Sequence, residues 1–285
     1  MNAASGVERV GWRTLGLFVV AFLLVFLAPS LLFSLGAGRL VEWSGGVVTP
    51  TLLNTWVGLL VVVGGVALWH GGLTLRDLGV ERSKAVVGIG LTALVWGLFT
   101  LAQVLVGVLT GDLSLYSGWT GGEATRTLGT VLGYWLGNAP FEELAFRGFL
   151  LVQLYLLLDG DRWRSNPLAR TGAAIVASSL VFTLLHVPAF LWGGVELWTL
   201  GAIFGYSVAL ALVYVRTENV VLAIGLHALA NFPAPVFAVF ERAPFGLDWS
   251  LVWLVPAAIL VLAWPRLRGA GRRPRSGGVG VVEEQ

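Results

Sequence analysis

Long apolar runs constrain the fold of this chain more than any other feature of its sequence. A hydrocarbon core about 30 Å thick is crossed by roughly 20 apolar helical residues, and runs near this length recur along the chain. They cover Thr14–Leu35, Leu52–Trp69, Ala85–Leu109, Thr127–Leu157, Arg170–Val187, Glu196–Val215, Asn219–Val239 and Leu251–Trp264. The sequence therefore predicts an all-α integral membrane protein, a polytopic bundle of about eight transmembrane helices.

The composition supports a membrane protein and excludes several chemistries. Of 285 residues, 56% are hydrophobic and only 12% are charged, whereas a soluble domain carries about 25% charged residues. The mean hydropathy is +0.83. There is no cysteine, which excludes disulfides, thiolate nucleophiles and cysteine-based metal sites. Lys84 is the one lysine among many arginines, which favours a prokaryotic source with a GC-rich genome.

The chain divides into a short leader, one membrane domain and a tail. Residues 1–13 are predicted to be a cytoplasmic N-terminus, and residues 14–264 a single transmembrane helical domain. The first apolar run is longer than the 7–15-residue core of a signal peptide, so we expect it to remain as an anchor. Residues 265–285 form a basic tail that we predict to be disordered.

The basic residues predict the orientation, because cytoplasmic loops carry an excess of Lys and Arg. With the N-terminus in the cytoplasm, fourteen basic residues fall on the inner side. Three fall on the outer side, Arg39, Arg126 and Arg242, and Arg147 lies within the membrane. The sequence therefore predicts a multi-pass protein of the cell membrane with both termini in the cytoplasm.

Three ionisable residues interrupt the fourth apolar run, at Glu142, Glu143 and Arg147. Charged side chains inside a bilayer are costly and usually mark a functional site. On a helix Glu143 and Arg147 are four residues apart and share one face, where they can pair. Glu142 is rotated about 100° away. We therefore expect Glu143 to be tied to the arginine and Glu142 to be free for chemistry in an intramembrane polar site.

The fourth run is too long for a straight perpendicular span. Thirty-one helical residues measure about 46 Å, against a core of about 30 Å. Pro140 lacks a backbone donor and disfavours helix at Ala139. The sequence therefore predicts a kink or short unwound turn at Asn138–Pro140, with the glutamates on the next turn.

Glycine pairs predict where helices approach each other closely. Gly133 and Gly137 have the GxxxG spacing, as do Gly201 and Gly205. Such pairs let helix backbones come together in membranes. We expect both to pack inside the chain rather than to form a dimer face.

Three further polar residues lie in other apolar runs. His186 closes the fifth run, just before Pro188, and Asn231 follows His227 by four residues in the seventh. Residues four apart share a helix face. Because each would need a polar partner inside the bundle, we expect Glu142, His186, His227 and Asn231 to meet.

These residues carry a family resemblance. The motifs EExxxR (Glu142–Arg147), FxxxH (Phe182–His186) and HxxxN (His227–Asn231) follow in order on successive predicted helices. They resemble the type II CAAX prenyl endopeptidases, a family of CAAX proteases and bacteriocin-processing enzymes also called the abortive-infection family. The resemblance covers about residues 127–239. It implies an intramembrane endopeptidase that cleaves a C-terminal, prenylated or otherwise membrane-associated peptide.

The chemistry of peptide hydrolysis assigns roles to these residues. Glu142 is the candidate general base for an attacking water, and His186 could share its proton. His227 and Asn231 could donate to the tetrahedral oxyanion. Glu143 and Arg147 would support the site as a buried pair.

Two alternatives stay open from the sequence. Zinc is one, since two histidines and one glutamate can hold a catalytic ion; Glu142 or Glu143 with His186 and His227 would supply that set, although HExxH is absent. A non-catalytic scaffold or bacteriocin-immunity protein of the same fold is the other. A transporter is disfavoured, because the first three runs show no charge pairs. The expected partners are a peptide or protein tail and membrane lipid, with no nucleic acid.

Overall fold

The computed structural model describes residues 4, 6–32, 36–193, 198–238, 255, 258–259 and 262–264. Throughout the described part the chain is helical, with no strand beyond one isolated bridge between Leu115 and Phe237. We number the main helices in chain order. The single-segment helices are α1 (Trp12–Leu32), α2 (Gly38–Trp43), α4 (Arg82–Thr110), α6 (Asp161–Arg164), α7 (Pro167–Gly193), α8 (Trp198–Thr217) and α9 (Val220–Asn231).

Two helices contain wide, π-type turns. Helix α3 begins as an α-helix at Pro50–Gly58 and continues as a π-helix over Leu59–His70. Thr49 caps its start by accepting a hydrogen bond from the backbone N–H of Leu52 at 3.1 Å, and Pro50 suits the first helical position. Helix α5 runs through Ala124–Leu132, Gly133–Asn138, Ala139–Glu143, Leu144–Leu151 and Val152–Leu157, the second and fourth being π-type. Such turns are rare and often occur at functional sites.

Among the described residues, four helices are long and apolar enough to cross a membrane. They are Pro50–His70, Arg82–Thr110, Pro167–Val187 and Trp198–Thr217. The apolar segments Trp12–Val25 and Val220–Asn231 are shorter. Each of the first seven predicted runs contains a helix, whereas most of Leu251–Trp264 lies outside the described residues. The prediction of a helical membrane protein is therefore supported, and the count of eight spans stays a prediction.

Of the kink or short unwound turn predicted at Asn138–Pro140, the unwound turn is wrong. Asn138 and Ala139 keep helical backbone angles, with φ −60° and −62°. The π-type turn of Gly133–Asn138 precedes the proline instead. The carbonyl of Leu136, four residues before Pro140, accepts a hydrogen bond from the Trp56 indole at 3.2 Å. The glutamates therefore lie within a continuous helix and not at a helix N-terminus.

Two predicted helix ends also differ from the structure. Helix α7 continues past Pro188 to Gly193, so His186 lies inside a helix and does not close one. Helix α9 stops at Asn231, where Phe232 turns to an extended backbone with φ −156°. Pro233 follows, and the residue before a proline avoids the helical conformation. The predicted run Asn219–Val239 is therefore a helix of 12 residues followed by a non-helical strap, residues 232–238.

The strap is held by side chains that satisfy its backbone. The indole N–H groups of three tryptophans donate to strap carbonyls, Trp135 to Phe232 at 2.9 Å, Trp96 to Ala234 at 3.3 Å and Trp119 to Pro235 at 2.7 Å. Gln103 donates to Phe237 at 2.9 Å. Non-helical backbone at membrane depth needs such internal partners, because lipid offers none.

The helices begin and end at two opposite ends of the bundle, which we call the Lys84 end and the Thr125 end. At the Lys84 end, Asn219 caps α9 and also donates to the carbonyl of Lys84 at 2.7 Å. At the Thr125 end, Thr125 donates to the carbonyl of Gly45 at 2.7 Å, and the amide of Tyr116 donates to Val236 at 3.0 Å. Helix α5 runs from the Thr125 end to the Lys84 end.

The two glycine pairs differ in their packing. A Cβ atom added at Gly133 would lie 2.8 Å from the Thr49 hydroxyl, and one at Gly137 would strike Thr55. This pair packs closely against α3, as predicted. A Cβ added at Gly201 or Gly205 would meet nothing within 4 Å. For that pair the prediction of packing inside the chain is wrong within the described residues.

Candidate active site

The adjacent glutamates on α5 have different surroundings. Glu143 is completely buried, and its Oε1 atom lies 3.0 Å from Nη1 of Arg147. The predicted ion pair is therefore present, as a charge contact whose N–H is not aligned for a hydrogen bond. Both side chains are almost without exposure, so the guanidinium offsets a carboxylate charge that water cannot reach.

Helix α8 completes the surroundings of Arg147. Its Nη2 atom donates to both the carbonyl and the hydroxyl of Ser207, each at 3.0 Å. Its guanidinium lies 5.0 Å from the ring centroid of Phe182 on α7, within the range of a cation–π contact. Arg147 thereby links the glutamate helix to two neighbouring helices.

His227 lies between the two glutamates. Its Nδ1 atom is 2.7 Å from Oε1 of Glu143, and its Nε2 atom is 3.6 Å from Oε2 of Glu142. Its ring packs edge-on against Tyr206 at a centroid distance of 5.6 Å. With Nδ1–H donated to Glu143, only Nε2 faces Glu142. A carboxylate that fixes the ring of a histidine in this way sets its orientation and tautomer.

Asn138 joins Glu142 to Asn231. Its Nδ2 atom donates to Oε1 of Glu142 at 2.6 Å, and its Oδ1 atom accepts from Nδ2 of Asn231 at 2.6 Å. Asn138 precedes Glu142 by four residues, so both lie on one face of α5. Asn231 is exposed because α9 ends there. The helix end and the strap together place this amide beside the glutamate.

His186 is half-buried on α7. Its Nδ1 atom lies 2.7 Å from the carbonyl of Phe182, and its ring is 4.5 Å from the Phe182 ring. Since a carbonyl can only accept, Nδ1 carries the proton in this contact. In the neutral ring, Nε2 is then left as an acceptor.

Two cavities meet at Glu142 and His186. The larger, about 400 Å³, is also lined by His227, Asn231 and Asn138. The smaller, about 250 Å³, lies between α5 and the start of α3 and is lined by Asn54 and Phe141 among others. The four predicted residues Glu142, His186, His227 and Asn231 therefore border one cavity, although they come from three helices.

The sequence interpretation missed several neighbours of this group. The sequence predicts only a break at Asn138 and gives no indication of Ser207 or Tyr206. Asn138 could have been found from its i,i+4 spacing to Glu142. No local signal indicates Ser207, because its contact with Arg147 spans sixty positions of the chain.

The donors in this arrangement do not fit a zinc centre. Within the described residues, no three His, Asp or Glu side chains are grouped to hold a metal ion. The two ring nitrogens of His227 face different glutamates on opposite sides of the ring. A catalytic zinc needs three protein ligands around one point, and here Glu143 is already shared between Arg147 and His227.

Comparison with known proteins agrees with the motif reading. Residues 123–233 match the family model described as Type II CAAX prenyl endopeptidase Rce1-like. Searches of the curated proteins and of the solved structures found no match. The matched segment begins one residue before α5 and ends two residues after Asn231, so it contains Glu142, Glu143, Arg147, His186 and His227. Over residues 123–233, which are less than half of the chain, the protein is therefore similar to the type II CAAX prenyl endopeptidase Rce1-like family.

Proposed function

We propose that this protein is an intramembrane endopeptidase of the CAAX-processing type, in which Glu142 activates a water molecule. The observation that carries the proposal is the position of Glu142. Its carboxylate borders a cavity together with His186, His227 and Asn231, within a segment that matches a protease family. A cavity of about 400 Å³ falls within the size range of ligand sites and would hold a short peptide segment.

The first step is attack of water on the scissile carbonyl. Glu142 takes a proton from the water as the C–O bond forms, which is general-base catalysis. The hydrogen bond from Asn138 occupies Oε1 and leaves Oε2 to receive this proton. His186 lies on the wall of the same cavity and, through its free Nε2, can hold the water or accept a proton from it.

The second requirement is stabilisation of the oxyanion. His227 with Nδ1–H on Glu143 can donate from Nε2 if it is protonated there. Asn231 uses one Nδ2 hydrogen on Asn138 and keeps a second for the substrate. Donors held in place before the reaction stabilise a developing negative charge without reorganisation.

The charges of the site balance in this state. Glu142 and Glu143 contribute two negative charges, and Arg147 contributes one positive charge. An imidazolium at His227, in contact with both carboxylates, brings the sum to zero. Because uncompensated charge is costly in a bilayer, this protonation state suits the surroundings.

Collapse of the tetrahedral intermediate completes the hydrolysis. The C–N bond breaks, the proton held by Glu142 passes to the leaving amine, and a carboxyl group is left on the other fragment. The pair of Glu143 and Arg147 takes no part in these transfers. It fixes His227 and neutralises one buried charge.

A cleavage assay tests the proposal. The purified protein in detergent is incubated with a quenched peptide that carries a C-terminal prenylated cysteine motif, and with the same peptide unprenylated. Glu142→Gln should lose activity about 10²–10⁴-fold, the typical contribution of a general base. The matched control is Glu81→Gln, an i,i+3 surface partner of Lys84 at the start of α4, which should cleave like the wild type.

Metal content is measured on the same samples. We expect no stoichiometric zinc and no loss of cleavage with a chelator. Stoichiometric zinc that disappears together with activity in Glu142→Gln would contradict the glutamate-and-oxyanion mechanism. Equal cleavage by the wild type and by Glu142→Gln would show that Glu142 is not the general base. Absence of cleavage with every peptide would favour a non-catalytic scaffold.

A further inference from the structure

We infer that substrate reaches Glu142 from the outer face of the membrane, so that the peptide cleaved is one exported or displayed outside the cytoplasm. The choice of substrate rests on the proposed protease function, but the side of access does not. Three observations carry the inference: which end of the bundle borders the cavities, how the other end is packed, and where the basic residues lie.

Both cavities lie towards the Thr125 end. The larger is lined by Tyr134 and Asn138 from the first half of α5, and by Thr199 and Ala202 from the start of α8. The smaller includes Pro50 from the start of α3. Helices α3 and α8 begin, and α9 ends, at that end of the bundle. The lining is therefore drawn from helix segments on one side of Glu142.

The other side of Glu142 is filled by packed side chains. Phe146 and Phe149, one and two turns further along α5, have 0% and 1% exposure. Phe18 of α1 packs against both rings, at centroid distances of 6.0 and 5.0 Å. Leu78 is fully buried, and a Cβ at Gly148 would lie 2.7 Å from its carbonyl. A peptide coming from the Lys84 end would have to displace this core.

The length of helix α9 gives the depth of Asn231 in the membrane. Helix α9 starts at the Lys84 end and reaches Asn231 after 12 residues, which is about 18 Å. The hydrocarbon core is about 30 Å thick. Asn231, at the end of α9, is therefore nearer to the Thr125 end than to the Lys84 end.

The basic residues indicate which end of the bundle lies at the cytoplasmic face of the membrane and which lies at the outer face. Among residues whose side chains are described, the Lys84 end carries seven basic residues, namely Arg9, Arg13, Arg76, Arg82, Lys84, Arg170 and Arg216. The Thr125 end carries Arg39 and Arg126, and Arg126 is paired with Glu123 at 3.2 Å. Short loops rich in Lys and Arg stay in the cytoplasm. The Thr125 end, with both cavities, is thereby placed outside.

This placement selects a substrate class. A tail that is prenylated and remains in the cytoplasm would have no path to Glu142. The peptide must first be carried across the membrane, or belong to a membrane protein whose cleavable segment lies on the outer side. A translocation step therefore has to supply the substrate.

Single cysteines can test this directly, because the chain has none of its own. Asp112→Cys marks the Thr125 end and Ser83→Cys the Lys84 end, both at exposed positions. Thr199→Cys and Ala202→Cys mark the wall of the larger cavity. Each variant is treated with a membrane-impermeant maleimide in right-side-out and in inside-out vesicles, and then assayed for cleavage in detergent.

We expect labelling of Asp112→Cys and of at least one cavity cysteine in right-side-out vesicles, and of Ser83→Cys only in inside-out vesicles. Labelling of the cavity cysteine should abolish cleavage, whereas labelling of Asp112→Cys should not. Labelling of Ser83→Cys but not Asp112→Cys in right-side-out vesicles would overturn the inference, even if the protein is an active protease. Protection of both cavity cysteines while Asp112→Cys reacts would also overturn it.

The outcome is separate from that of the proposed function. If the unlabelled variants and the wild type cleave no peptide in detergent, the protease proposal fails. The labelling pattern would still decide which face of the membrane the cavity serves.

Discussion

The two halves of the bundle on either side of Glu142 are built differently. Towards the Lys84 end, aromatic rings and a buried ion pair fill the space between helices. Towards the Thr125 end lie the cavities that border the same glutamate, together with a glycine-lined contact and a non-helical strap. The difference teaches that one half holds the polar groups in place and the other half gives a substrate room to reach them.

The adjacent glutamates show this division at the scale of one helix turn. Glu143 faces the packed half and has Arg147 and His227 as partners. Glu142 faces the cavity and, within the described part of the chain, has Asn138 as its hydrogen-bond partner. Their different roles follow from the direction each side chain takes, and substitutions in each half should separate stability from activity.

The largest effect is expected for Arg147→Met in the packed half. It leaves Glu143 buried without its cation, which typically costs about 3–5 kcal/mol. Chemical or thermal unfolding in detergent measures the loss. The double variant Glu143→Gln with Arg147→Met should recover part of it. Arg126→Met, which removes an exposed pair with Glu123, is the matched control and should change little. Equal effects of the two arginine variants would contradict the assigned role.

His227→Gln should chiefly lower activity. Removal of one preorganised oxyanion donor typically lowers the rate about 10²–10³-fold. Peptide cleavage measures the rate, and unfolding in detergent shows whether Glu143 and Arg147 still pair. His70→Gln, at an exposed residue that contacts Thr14, should leave cleavage unchanged. If His227→Gln cleaves the peptide at the wild-type rate, His227 only packs against its neighbours and does not stabilise the oxyanion.

The two glycine pairs should respond differently to one methyl group. Gly137→Ala forces a Cβ atom into Thr55, and overpacking of this kind typically costs about 1–3 kcal/mol. Gly201→Ala meets open space, and alanine favours a helix by up to about 1 kcal/mol over glycine. The unfolding midpoint should fall for the first variant and stay or rise for the second. The reverse order would show that α5 and α3 are not in close contact.

The smallest effect is expected for Asn138→Ala. It removes the amide that orients Glu142, and a single hydrogen bond contributes about 1 kcal/mol. We therefore expect a roughly fivefold lower rate of cleavage, since about 1.4 kcal/mol corresponds to a factor of ten. Asn166→Ala, at an exposed helix start, is the control. A larger loss of stability than of activity would make Asn138 a packing residue.

The sequence predicted most of the helices because apolar runs report the solvent directly. It placed seven runs on the helices now described, and the i,i+4 spacing predicted the pair of Glu143 and Arg147. It failed at prolines. Pro140 and Pro188 lie inside helices, because neighbouring groups such as the Trp56 indole can satisfy the freed carbonyl. Of these three prolines, Pro233 alone follows a helix end.

The sequence by itself determined that the chain is helical and apolar, and that a few ionisable residues lie in unfavourable surroundings. Those properties follow from local composition and from the helical repeat. Only the tertiary structure decided that His227 bridges the two glutamates, that Asn138 connects Glu142 with Asn231, and that the cavities lie on one side of them. These contacts join helices distant in the chain, and their geometry depends on where each helix ends and how closely it packs. No local pattern encodes either quantity.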